Sequence, residues 1–206
     1  MANSERFVLT ASVLELSNGF LRNFDIRARA RPFLIALAEK TGLSVHLAVR
    51  DRLDMVVIDS IRPRSAVLVS RLEVGGRMDL SRTAVGRAYL SVLSAEERQA
   101  LIGSLQTASG DDWPAIARGL QLGLDYARDH GFAISIGKWH HGLNAIAAGF
   151  VGPSEERYSV NCGGAAHSCP PETLVGDVAP ALLDCVTQIA LEIGGKAGTP
   201  FFDQAD

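Results

Sequence analysis

Apolar residues at Leu9, Val13, Leu16, Phe20 and Leu21 recur with helical spacing and predict an amphipathic helix over residues 10–23, capped by Thr10. Asp25 opens a second helix, whose inward stripe is Ala30, Phe33, Leu34, Leu37 and Ala38 and whose stop is Gly42. The period then changes. Residues 43–50 and 55–61 are rich in β-branched and aliphatic side chains, and Asp51-Arg52-Leu53-Asp54 between them reads as a hairpin turn. A short strand at 67–70, a turn at Gly75-Gly76 and a helix over 83–93 follow, and Ser94-Ala95-Glu96-Glu97 fits a capping box at a new helix start. A further helix covers 113–130 and ends at Gly131, and Pro170-Pro171 introduces a closing helix that runs to about Ile193. The tail from Gly194 reads as frayed, and no repeat or low-complexity segment interrupts the series.

Three strand-like stretches before the closing helix share one pattern. In 132–137 the small residues Ala133, Ser135 and Gly137 alternate with Phe132, Ile134 and Ile136. In 143–151 Ala145, Ala147 and Gly149 alternate with Ile146 and Phe150, and in 157–163 Ser159, Asn161 and Gly163 alternate with Tyr158, Val160 and Cys162. Side chains alternate across a strand, so the small set of each stretch lies on one sheet face. A sheet stripped on one face either bounds a small cavity or receives a closely packed helix, and the pattern fits both. Helices first, then strands, helices, strands and a helix argue for an α+β domain with an antiparallel sheet flanked by helices.

Composition narrows the function classes. The chain has 206 residues, 47% of them hydrophobic, which is ample for a packed core. A net charge of −3 gives no global attraction for nucleic acid or an anionic membrane. No apolar run is expected to span a bilayer, and the first residues lack the layout of a signal peptide, so a cytoplasmic location without a membrane partner is the default expectation. Three cysteines, Cys162, Cys169 and Cys185, are too few and too unevenly spaced for a disulfide framework. Cys162, His167 and Cys169 make a Cys-x4-His-x-Cys run that matches no standard closed zinc site, so no metal or cofactor is expected.

Chemistry concentrates at the run from Arg77 to Ala88. A helix beginning near Thr83 leaves its first N–H groups unpaired, and these favour a carboxylate or phosphate. An ordinary helix start packed on the sheet fits the same residues. Cys162 with His167 would suggest a thiolate–imidazole pair, but Cys162 has the opposite parity from Asn161 and Gly163 and belongs on the packed face. Arg22, Arg27, Arg29 and Arg31 read mainly as a solvated face. Trp139-His140-His141, between two strands, either covers a pocket mouth or forms a plain exposed turn.

Taken in order, Phe7-Val8-Leu9-Thr10, Arg31-Pro32-Phe33-Leu34, Val45-His46-Leu47-Ala48-Val49, Thr83-Ala84-Val85-Gly86-Arg87-Ala88 and Gly142-Leu143-Asn144-Ala145-Ile146 resemble the regulatory half of an IclR-type bacterial transcription factor. The resemblance implies a GAF-like or profilin-like effector domain over 25–195, preceded by the end of a winged helix and a linker helix over 1–24 and followed by a flexible tail over 196–206. The winged helix-turn-helix domain itself is expected to be absent from this sequence. In such regulators the acid group of an effector meets backbone N–H groups that correspond to Ala84 and Val85, and further pocket positions fall on Ser135, Ala145, Asn161 and Gly163.

Departures from the family pattern point to an effector of its own. An acidic residue is common where Ser135 stands, a cysteine at Ala145, and serines near Asn161 and Gly163. Leu80-Ser81-Arg82 replaces a common Leu-His-Ala, which makes Arg82 a weaker candidate beside the helix start, as Trp139 is at the mouth. The implied partners are a small-molecule effector, a carboxylate, and further copies of the chain in a homodimer or homotetramer. Operator DNA would be met only through the N-terminal domain. Two other readings stay open: an enzyme built on Cys162 and His167, and a purely structural dimerisation module.

Overall fold

Asp25–Thr41 forms helix α1 in the computed structural model, which describes residues 25–63, 72–137 and 142–198. The helix expected over 10–23, the strand at 67–70 and the Trp139-His140-His141 run lie outside the described residues. Ala30, Leu34, Leu37 and Ala38 of α1 are buried as the stripe predicts, whereas Phe33 is only partly covered. Gly42, at φ 69°, donates its N–H to the Ala38 carbonyl and stops the helix. The arginine face needs correction. Arg31 Nη1 donates to Asp59 Oδ1 at 2.5 Å, and Arg27 Nε lies 3.8 Å from the same oxygen. Asp59 is 1% exposed, so these two arginines compensate a carboxylate removed from water and tie α1 to the sheet.

Strands β1 (Ser44–Asp51) and β2 (Asp54–Ile61) form the expected hairpin, with Arg52 in the left-handed region at φ 57°. A strand the pattern did not predict, β3 (Arg77–Asp79), pairs with β2; three residues are too few to show a period. Next come α2 (Ala84–Ser91), α3 (Ala95–Ser109) and α4 (Trp113–His130). The Ser94 capping box is complete: Ser94 Oγ accepts from Glu97 N–H and Glu97 Oε2 accepts from Ser94 N–H. Strands β4 (Ala133–Ile136), β5 (Leu143–Val151) and β6 (Arg157–Ala165) match the three small-residue stretches. The chain then enters α5 (Pro171–Ile193), with a π-helical turn at Leu174–Val178.

All pairings are antiparallel, in the order β3-β2-β1-β6-β5-β4. A short β7 (Lys196–Ala197) pairs with the end of β5. The first residues of the tail, expected to fray from Gly194, are instead held in place. Gly195 donates to Ala190 O and Gly198 to Gly149 O, so residues 195–198 are docked by backbone bonds. Helices α1 and α5 cover one face of the curled sheet, and α2 to α4 build a second core on the other. By length and composition α5 could cross a membrane, contrary to the expectation that no run could. Its Leu182, Val186 and Ile189 are instead packed into the first core.

Candidate binding site

Strand pairing sorts the small residues into rows. Ser135 stands opposite Ala145, Ala145 opposite Gly163, and Gly163 opposite Ser44. The next row is Ala133, Ala147, Asn161 and His46, and the one after it holds Gly149, Ser159 and Ala48. Four of the expected positions, Ser135, Ala145, Gly163 and Asn161, thus occupy adjacent rows on one face. Ile134, Ile146, Cys162 and Val45 point to the other face and join the α1–α5 core.

Helix α2 lies over this small face, and its start is fixed by side chains. Asp79 Oδ1 accepts from the N–H groups of Ser81 and Arg82 and from Ser81 Oγ, which holds the turn between β3 and α2. Thr83 caps the helix: its Oγ1 accepts from Gly86 N–H at 3.1 Å and donates to Asp79 O at 2.6 Å. The N–H groups of Ala84 and Val85 have no acceptor within the helix, and they carry its positive end. Gly86 permits this turn, because a Cβ there would lie 2.0 Å from the Leu80 carbonyl oxygen.

Close packing takes one end of this face. A Cβ on Gly149 would lie 2.4 Å from Ala88 O, so at that end the α2 backbone rests on the sheet. At the other end Ala145 and Gly163 keep part of their surface accessible, while Ser135 and Asn161 beside them are buried. Gly163 is also small for a packing reason: a Cβ would meet Asn144 O at 2.7 Å.

The polar groups of this face include one the sequence reading missed. His46 is 7% exposed and Asn161 8%, and neither His46 Nδ1 nor Asn161 Oδ1 has a hydrogen-bond partner among the described residues. Burial pulls the His46 imidazole down to about 4, and the nearby Leu72 backbone and Asn161 side chain offset this only in part. The ring is therefore neutral at pH 7, with one donor and one acceptor nitrogen. Its signal was in the sequence. Ser44, His46 and Ala48 repeat the small-or-polar alternation in β1, but the neighbouring aliphatic residues dominated the reading of that strand.

Other expected residues sit elsewhere. Arg82 turns away from the sheet, with Nη2 4.0 Å from Asp112 Oδ2. Trp139 lies outside the described residues. Cys162 is fully buried on the packed face, its Sγ 3.5 Å from Thr41 Oγ1, and burial pushes its thiol up to about 12. His167 is exposed in the turn after β6. Among the described residues no three His, Cys, Asp or Glu side chains converge on a point where a metal could sit.

Residues 18–191 match the family model for the bacterial transcriptional regulator IclR C-terminal domain. The chain belongs to the IclR family. Among its relatives, the HTH-type transcriptional regulator TsaQ1/TsaQ2 of Comamonas testosteroni is 29% identical over 192 residues, covering 92% of this chain and 69% of that protein. The glycerol operon regulatory protein of Streptomyces griseus is 27% identical over 198 residues, covering 93% and 75%. The solved IclR-family regulator from Brucella abortus superposes with a TM-score of 0.82 at 32% identity, covering 89% of this chain and 69% of that one. Within the IclR domain, the α2 start and the three-strand row now have defined positions, and the curled antiparallel sheet with its helices is the fold that the resemblance implied.

Proposed function

We propose that this IclR domain senses a small organic acid whose carboxylate accepts from the Ala84 and Val85 N–H groups. The body of the acid rests on Ser135, Ala145 and Gly163, and its far polar group meets Asn161 and His46. The observation that supports this most is that the buried atoms Asn161 Oδ1 and His46 Nδ1, on the face that α2 covers, have no hydrogen-bond partner among the described residues. Leaving a buried polar atom unpaired costs about 1–3 kcal/mol, a cost a ligand hydrogen bond would relieve. Occupancy then controls operator binding by an N-terminal DNA-binding domain, through a homodimer or homotetramer in the bacterial cytoplasm. Binding shifts that assembly only by its differential affinity for the two arrangements.

The role is sensing rather than catalysis. A Cys162 thiol held near 12 supplies no thiolate at pH 7, and it pairs with Thr41 instead of an imidazole. A thermal unfolding series against small carboxylic acids and their neutral amides tests the reading. A saturable rise in Tm with one acid, absent with its amide and lost in Asn161→Leu, is the expected result. No rise across a broad panel would leave the dimerisation module as the better account.

A further inference from the structure

A second concave surface lies beside the start of α2, at the β4 edge of the sheet. It is a cleft of about 630 Å³ between the α2 start, α4 and β4. Ile116 and Leu122 contribute apolar wall, and Arg82, Arg87 and Arg118 line it with guanidinium groups. Leu122 is 66% exposed, an unusual position for leucine on a helix that packs its opposite side into the core.

Arg87 is the informative residue. It is 8% exposed, yet among the described residues no carboxylate pairs with it. Its Nε and Nη1 reach only the carbonyls of Ser81 and Ile134, at 3.4 and 3.3 Å, near the limit of a hydrogen bond. The nearest acid, Asp79, is already engaged by Ser81 and Arg82. Helix α4 is cut back at Gly123 to admit the side chain, since a Cβ there would lie 2.4 Å from Arg87 Cδ. Nη2 has no acceptor among the described residues. Burial works against the Arg87 charge and the field of Asp79 offsets this only in part, so a bound anion would relieve the remaining cost.

At the rim Arg118 has no carboxylate within ion-pair distance among the described residues, and Arg82 meets only the exposed Asp112 at 4.0 Å. The cleft thus joins three positive groups to an apolar wall, in a chain whose net charge is −3. We infer that this cleft is a second binding site, separate from the sheet face, for a small organic anion with an apolar body. Its acid group is held by Arg87 and Arg118, and its body lies along Ile116 and Leu122. Guanidinium groups suit this role because their planar N–H donors match an anionic oxygen pair.

Fluorescence titration of the 206-residue chain with anilinonaphthalene sulfonate, an anion with an apolar body, tests the inference. One dye per chain is expected, with affinity falling as chloride rises. Arg118→Glu, at an exposed position, should weaken binding by about tenfold or more, as loss of a charge-assisted bond implies. Ala115→Trp should block the cleft without touching Arg87, and Asn161→Leu should leave the titration unchanged. Phenylnaphthylamine, the same body without the sulfonate, should bind at least about tenfold more weakly. Equal binding of the neutral dye would reduce the cleft to an apolar patch and overturn the inference. So would a titration untouched by Arg118→Glu and Ala115→Trp, one abolished by Asn161→Leu, or no binding at all.

Discussion

Along β5, Ile146, Ala148 and Phe150 turn toward α1 and α5, while Ala145, Ala147 and Gly149 turn toward α2. The two sets share one backbone and are used differently. The first face is filled, with Phe150 stacked on Tyr158 at a centroid distance of 5.1 Å and Cys162 enclosed as a small apolar residue. The second face is held back from filling. Its small side chains let the α2 backbone touch down at Gly149 and leave two buried polar atoms unmatched near Asn161. One face carries stability, and the other gives up some stability to present chemistry.

Truncation separates the faces most sharply. Phe150→Ala should cost about 3–5 kcal/mol in denaturant unfolding, the usual range for a buried aromatic. Acid should act on the other face. His46 has a folded-state value of about 4 against 6.5 in the unfolded chain, so the unfolded state binds more protons between those values. This contribution is absent above about pH 7, and it lowers stability as pH falls from 6.5 toward 4, by about 3 kcal/mol in all. His46→Gln should flatten that part of the stability–pH curve. Gly149→Ala should cost about 1–3 kcal/mol by overpacking against Ala88 O, with no direct loss of a ligand contact. The smallest effect on stability is expected at Asn161. Asn161→Leu removes an unpaired buried carbonyl and should change stability by less than about 1 kcal/mol, or raise it, while abolishing acid binding.

Much of this division could be read from residue order. Alternation in β4, β5 and β6 placed Ser135, Ala145, Asn161 and Gly163 on one face, and the helix start near Thr83, the Gly131 stop and the Ser94 capping box are local signals that survive in the fold. Long-range pairing was less legible. That Asp59 would be buried under Arg31 depends on α1 crossing β2, and no local pattern encodes the crossing. Strand β3 is too short to show a period and is held by Arg77 bonding Asp51 and Asp54 across the sheet edge. His46 carried the right parity but stood among aliphatic neighbours. Its importance follows from the pairing with Asn161, which is a property of the sheet.

The central claim is that a carboxylate binds at the α2 start while the opposite face stays packed. Amide nitrogen–proton NMR spectra of the chain, titrated with the acid that raises Tm most, test this directly. The account predicts large, saturable downfield shifts of the Ala84 and Val85 N–H signals, as expected for donors newly bonded to an anion. Smaller shifts are expected at Ser135, Ala145, Asn161 and Gly163, and almost none at Ile146 or Val160. Saturation with Ala84 and Val85 unmoved would contradict the account, and would place the acid elsewhere in the domain.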